Sequence, residues 1–148
     1  RICAMGFSAG GHVCASLLTR FGDAATRPDA AALIYPVISM SAPDAHMGSR
    51  KQLIGENASP ALEAAHAPHR NVDKNTPPCF LVHAEDDDVV PVENSLLLRA
   101  ALKAAGVPVE THLFTHGGHG FGMTRAVGKP AGVWPELFLS WARSQGFA

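Results

Sequence analysis

The residues of this chain best suited to act together chemically are one serine, a run of carboxylates and one of several histidines, each of the three at the end of a strand-like stretch. Gly6, Phe7, Ser8, Ala9 and Gly10 read GFSAG, with the apolar run Arg1 to Phe7 before them and a helical pattern after them. A serine so placed sits on a sharp turn from strand to helix with its hydroxyl thrust outward. The helix starting at Ala9 would point free N–H groups at the Ser8 oxygen, which makes Ala9 N–H the first donor for an oxyanion formed there. Small residues are expected to be required at Gly6 and Gly10, because larger ones would collide with the neighbouring strand and helix. The plainer account is that Ser8 only caps the helix, as serines at such positions usually do. Serine alone is a poor nucleophile; it needs a base to take its proton and a third group to orient that base.

His119, in GGHGF, follows the fourth strand-like run in a glycine-rich loop that lets an imidazole project over the strand ends, and is the expected general base. His83 and His112 fall inside strands and His116 at a strand end, where core or supporting roles are expected. His12 lies near Ser8 in sequence, but a residue four positions along the same helix points away from the tip of the turn. His112, His116 and His119 have ligand-like spacing, yet two of them lie along a strand and its end with no Cys or carboxylate adjoining, so no metal is expected. The chemistry calls for no cofactor. Glu85, Asp86, Asp87 and Asp88 close the third strand-like run; clustered carboxylates are commonly a solvated loop, and only some can face a site.

The elements that must position these groups are legible from periodicity. Val13, Leu17, Leu18 and Phe21 keep helical spacing after the GFSAG turn, and AALIYPVISM is an unbroken apolar run of the kind found in parallel strands covered on both faces. Residues 41–77 change character, with Pro, His, Ser, Asn and Gly scattered among short helical patterns such as Ala61 to His66, and are expected to form an irregular excursion over the sheet edge, close to the active site. CFLVHAE gives a third strand. Val92 to Ala105 gives an amphipathic helix with Leu96, Leu97, Ala100 and Ala104 on one side and Gly106 as its stop. Val109 to Thr115 gives a fourth strand, and Val133 to Ser144 a last helix with Trp134, Leu137, Phe138 and Trp141 at helical spacing. Alternating strands and helices imply an α/β fold, a parallel sheet flanked by helices, with ligands at the carboxyl ends of the strands.

The bulk properties narrow the function classes. The 148 residues, 47% hydrophobic and 17% charged, suit one globular domain over residues 1–148. The net charge of -1 comes from intermixed acids and bases, with no basic run to track nucleic acid or an anionic membrane. No stretch holds the roughly twenty apolar residues of a membrane span. Cys3, Cys14 and Cys79, odd in number and widely spaced, read as small apolar residues rather than a disulfide framework.

HAEDDDVVP resembles the HGxxDxxVP stretch that carries the acid in many α/β-hydrolases, and that resemblance places the acid at Asp87. The chain order Ser, Asp, His is also the order of that superfamily. From GFSAGGH through LIYPVISM, HMGSRKQLIGE, HAEDDDVVPVENS and FTHGGHGFGM to SWARSQGF, the chain resembles the carboxylesterase branch that includes acetyl-xylan and xylanase-like esterases. The resemblance implies a serine ester hydrolase that removes short acyl groups from carbohydrate or small-alcohol esters. Ser8 would be the nucleophile, His119 the base, Asp87 the orienting acid and Ala9 N–H an oxyanion donor. The alternatives are a peptidase of the prolyl oligopeptidase type and a catalytically incomplete hydrolase fragment. Only seven residues precede Ser8 and no HGGG motif is present, so the chain is expected to be the C-terminal half of the fold, with the N-terminal strands and the second oxyanion donor outside it. Its first strand would then have an unpaired edge suited to self-association, and loss of one donor would cost on the order of a hundredfold in rate.

Overall fold

The computed structural model describes residues 1–147. Four parallel strands, β1 (Cys3–Phe7), β2 (Ala30–Ile34), β3 (Cys79–Ala84) and β4 (Val109–Phe114), form one sheet in the order β1-β2-β3-β4. The sequence of each strand fits its place. β2 and β3, AAALI and CFLVHA, are buried at every residue, as central strands with helices on both faces must be. β4 alternates intermediate and exposed residues along much of its length, and β1 is also only partly covered, as the two outer strands.

Helix α1 (Ala9–Thr19) and helix α4 (Glu93–Ala104) cover one face of the sheet, where Ala15, Leu18, Leu98 and Leu102 pack with Leu33 and Leu81. Helix α5 (Trp134–Ser144) covers the other, where Trp134 and Trp141 pack with Phe80, Val82 and Ile34. Burying each of the Leu, Ile, Val and Phe side chains among these contributes about 1.5–3 kcal/mol.

Three expectations are corrected. The apolar run AALIYPVISM is longer than its strand: β2 stops at Ile34, and Tyr35, with φ of 39°, turns the backbone into an irregular path that stays buried through Met40. Buried irregular backbone must find partners. Here Val37 N–H donates to the Ser8 carbonyl, and the N–H groups of Ile38 and Ser39 both donate to Asn94 Oδ1 at 2.8 Å.

The buried stripe of α4 is Asn94, Ser95, Leu98 and Leu102, whereas Ala100 and Ala104 are exposed and Leu96 is 39% exposed. Counting apolar residues misses this face because two of its members are polar. Asn94 holds the Ile38–Ser39 backbone, and the Ser95 hydroxyl donates to His83 Nδ1 at 2.7 Å.

The segment 41–77 connects the two central strands rather than passing over an edge, and its 3-10 turn Pro68–Arg70 packs on α1 and α4. It is also more regular than expected, with α2 (Met47–Ile54) and α3 (Pro60–Ala65). His46 begins α2, its Nδ1 accepting from Ser49 N–H. Buried Arg50 ties the segment together, donating to the carbonyls of Met40, Gly55 and Glu56 and pairing with Glu63 at 2.6 Å.

Candidate active site

Ser8 stands where β1 becomes α1, with φ of 52° and ψ of -120°, a region that L-residues avoid and that must be held by its surroundings. It is held on both sides: Ser8 N–H donates to the Ile34 carbonyl at 3.0 Å, and the Ser8 carbonyl accepts from Val37 N–H at 3.1 Å. The turn is tight enough that a Cβ on Gly6 would overlap the Gly10 carbonyl group and the Cys14 sulfur. Gly10 itself faces open space, so the expected requirement there is corrected; the second tight position is Gly11, whose Cβ would lie 2.7 Å from Pro36 Cβ. Ala9 is the first residue of α1, and its N–H belongs to the first turn, whose amides have no acceptor within the helix.

Three strand ends bring Ser8, His119 and Asp87 into one hydrogen-bonded line. The Ser8 hydroxyl lies 2.8 Å from His119 Nε2, and His119 Nδ1 lies 2.7 Å from Asp87 Oδ2. A carboxylate can only accept, so Nδ1 carries the proton and Nε2 is the free lone pair that accepts from Ser8. Tyr35 packs its ring edge to face with the imidazole at 5.1 Å between centroids.

Burial separates the four carboxylates. Glu85, Asp86 and Asp88 are exposed, whereas the Asp87 side chain is fully covered. Its second oxygen, Oδ1, accepts from the N–H groups of Val89 and Val90 at 3.0 and 2.9 Å. Burial by itself would raise the Asp87 carboxyl; the hydrogen bonds from His83, Val90 N–H, His119 and Val89 N–H outweigh it and hold it at about 2. Asp87 is therefore a carboxylate at any neutral pH.

The other histidines have separate partners. His12 Nδ1 donates to the Val37 carbonyl, and burial first of all lowers its pKa. His83 Nε2 donates to the Val90 carbonyl at 2.9 Å and lies 3.3 Å from Asp87 Oδ2. His112 bonds to Glu110 and His116 to Asp86, so these two do not converge with His119; among the described residues no three potential ligands surround a common point.

Two participants in the surroundings escape a reading of motifs. Asp86 Oδ1 accepts from Gly117 N–H at 2.8 Å and Gly118 N–H at 2.7 Å, gripping the loop that carries His119. Tyr35 is hidden in an apolar run; its one sequence signal is an aromatic residue followed by Pro at a strand end.

A pocket of about 570 Å³ opens between α1 and α2, walled by Ala9, Val13, Met40, His46, Gln52 and Leu53. It reaches Ala9, but neither Ser8 nor His119 lines it.

The model of the family described as prolyl oligopeptidase family matches residues 1–133. The chain is 38% identical over 130 residues to endo-1,4-beta-xylanase B of Butyrivibrio fibrisolvens, covering 81% of this chain and 20% of that protein. It is 34% identical over 122 residues to an acetylxylan esterase of Xylanibacter ruminicola, covering 80% of this chain and 25% of that one. Among solved structures, an acetyl ester-xyloside bifunctional hydrolase from Caldicellulosiruptor lactoaceticus superposes with a TM-score of 0.89 at 44% identity, over 97% of this chain and 56% of the other. The carboxylesterase Cest-2923 from Lactobacillus plantarum superposes with a TM-score of 0.80 at 30% identity, over 99% and 59%. The chain thus spans a quarter or less of those curated relatives and a little over half of those solved chains.

Proposed function

The chain belongs to the prolyl oligopeptidase family of α/β-hydrolases, and from that premise we propose that it carries the catalytic residues of a serine ester hydrolase acting on short acyl esters. The observation that supports this most is the line Ser8, His119, Asp87, with donor and acceptor correctly ordered at 2.8 and 2.7 Å. His119 Nε2 takes the Ser8 proton as Oγ attacks the ester carbonyl carbon, and the resulting oxyanion is met by Ala9 N–H. His119 then returns the proton to the departing alcohol oxygen, leaving an acyl group on Ser8. Water, deprotonated by the same nitrogen, releases the acid and restores the hydroxyl.

The names of two relatives, an acetylxylan esterase and an acetyl ester-xyloside bifunctional hydrolase, support esters of carbohydrates as the substrate class. The apolar pocket beside Ala9 would receive the part of the substrate that extends from the scissile ester along α1. A second reading, cleavage of prolyl amides, draws on the name of the matching family. Reaction of this 148-residue chain with a fluorophosphonate, followed by location of the adduct by mass spectrometry, tests the shared core of both readings. Labelling at Ser8 is expected; a folded sample that stays unlabelled refutes it for this chain. Turnover of acetyl esters against prolyl amides then separates the two.

A further inference from the structure

Asp86 and Asp87 are neighbours in sequence, yet they serve the same histidine in different ways. Asp87 takes the imidazole N–H, while Asp86 takes the two backbone N–H groups immediately before His119, at Gly117 and Gly118. We propose that Asp86 is a positioning residue, which sets the place of the His119 ring by clamping the backbone of its loop to the end of β3. The proposal rests on the reading of His119 as the base.

The loop needs such a clamp. Gly118 has φ of 62°, a conformation open to glycine at little cost but also easily left. Gly117 is pressed so closely to the strand end that a Cβ would lie 2.9 Å from Ala84 Cβ. The loop therefore has little side-chain packing of its own at these residues, and one carboxylate oxygen shared by two adjacent amides fixes its course. The Gly118 N–H, with further help from Gly117 N–H and His116, holds the Asp86 carboxyl below its ordinary value. The Asp86 side chain is 43% exposed, which sets it apart from a core residue whose removal would collapse the fold. The other polar neighbour, His116, is 79% exposed and 3.3 Å from Asp86 Oδ2, too open to water to hold the loop alone.

The test compares the unsubstituted chain with Asp86→Ala, Asp86→Asn and Asp86→Glu, using two readouts. One is the low-field proton resonance of His119 Nδ1–H, which reports its contact with Asp87. The other is the rate of fluorophosphonate labelling at Ser8. Asp86→Asn keeps an oxygen able to accept both amides and is expected to retain the resonance and label close to the normal rate. Asp86→Ala removes the acceptor and Asp86→Glu displaces it. Both are expected to broaden the resonance and slow labelling by about tenfold to a hundredfold, the range a misplacement of about 1 Å produces.

A normal resonance in both Asp86→Ala and Asp86→Glu would overturn the proposal, as would an Asp86→Asn variant as impaired as those two, because charge rather than the clamp would then matter. If Asp86→Ala does not fold, Asp86→Glu decides. An unsubstituted chain that never labels, with the resonance still lost in Asp86→Glu, would refute the nucleophile reading of Ser8 and leave the clamp standing.

Discussion

Gly6 and Gly10 share the backbone space beneath the turn that carries Ser8: a Cβ on Gly6 would come within 2.6 Å of the Gly10 carbonyl carbon, while one on Gly10 would meet nothing within 4 Å. The strand thus passes under the first turn of α1 at a separation only glycine permits, and the restriction falls on one partner alone.

Opposite outcomes are expected for the same substitution at these two sites. Gly6→Ala should prevent folding or displace the turn, since the obstruction is backbone that cannot move aside. Gly10→Ala should leave the fold intact and gain about 0.5–1 kcal/mol, because alanine is the better residue inside a helix. Urea denaturation of both variants checks this; equal destabilisation would contradict the geometry.

Removal of the proposed nucleophile or base should eliminate hydrolysis. With the intact protein, Ser8→Ala and His119→Ala are expected to reduce ester turnover to background, and Asp87→Asn to lower kcat by about 10⁴, because an amide no longer selects the imidazole tautomer that leaves Nε2 free. Ester turnover surviving Ser8→Ala would require a different nucleophile.

Acid should destabilise the chain partly through Asp87. Its folded carboxyl stands at about 2, below the ordinary 3.8, so the folded state favours the charged form. The contribution is present in full above the ordinary value and is lost as pH falls through about 2, amounting to about 2 kcal/mol. Denaturation midpoints measured from about pH 6 down to about pH 2 should fall less steeply in Asp87→Asn than in the unsubstituted chain.

Asn94 is buried and binds two amides of a segment far away in sequence, those of Ile38 and Ser39. Asn94→Ala should therefore leave two backbone N–H groups unsatisfied and cost about 2–4 kcal/mol, at the penalty of an unpaired buried donor. Because the same segment donates Val37 N–H to the Ser8 carbonyl, fluorophosphonate labelling should slow as well. A stable variant that labels normally would show that this segment is held by other means.

Leu53 faces the pocket beside Ala9 from α2. Leu53→Trp should narrow that pocket, raising KM for esters with long acyl or alcohol groups while leaving acetate esters of small alcohols nearly unchanged. Unaltered chain-length preference in a series of nitrophenyl esters would place the substrate elsewhere.

The sequence by itself determined the alternation of strands and helices and the chain order of Ser8, Asp87 and His119. These depend on local signals: apolar runs of strand length, helical spacing, and glycines around a tight turn. The same local signals failed where burial came from distant parts of the chain. Tyr35 to Met40 reads as strand because it is largely apolar, but it is buried against distant parts of the chain, with Val37 and Met40 packing on Ala67 and Val90, and Asn94 satisfies part of its backbone from a helix that begins at residue 93. The buried face of α4 was hidden because Asn94 and Ser95 are polar residues whose partners, Ile38, Ser39 and His83, lie outside that helix.

A resemblance singled out Asp87 among the four adjacent carboxylates, but only the tertiary structure gave each of them its burial and its partner. Four side chains of nearly identical chemistry differ in what the fold folds over them: Asp87 is covered and meets the imidazole, Asp86 remains at the surface and meets the loop backbone, and Glu85 and Asp88 are left exposed. Sequence places charge at a strand end; only the approach of the β4 loop, brought there by parallel pairing of β3 with β4, decides which oxygen each amide and ring nitrogen can reach.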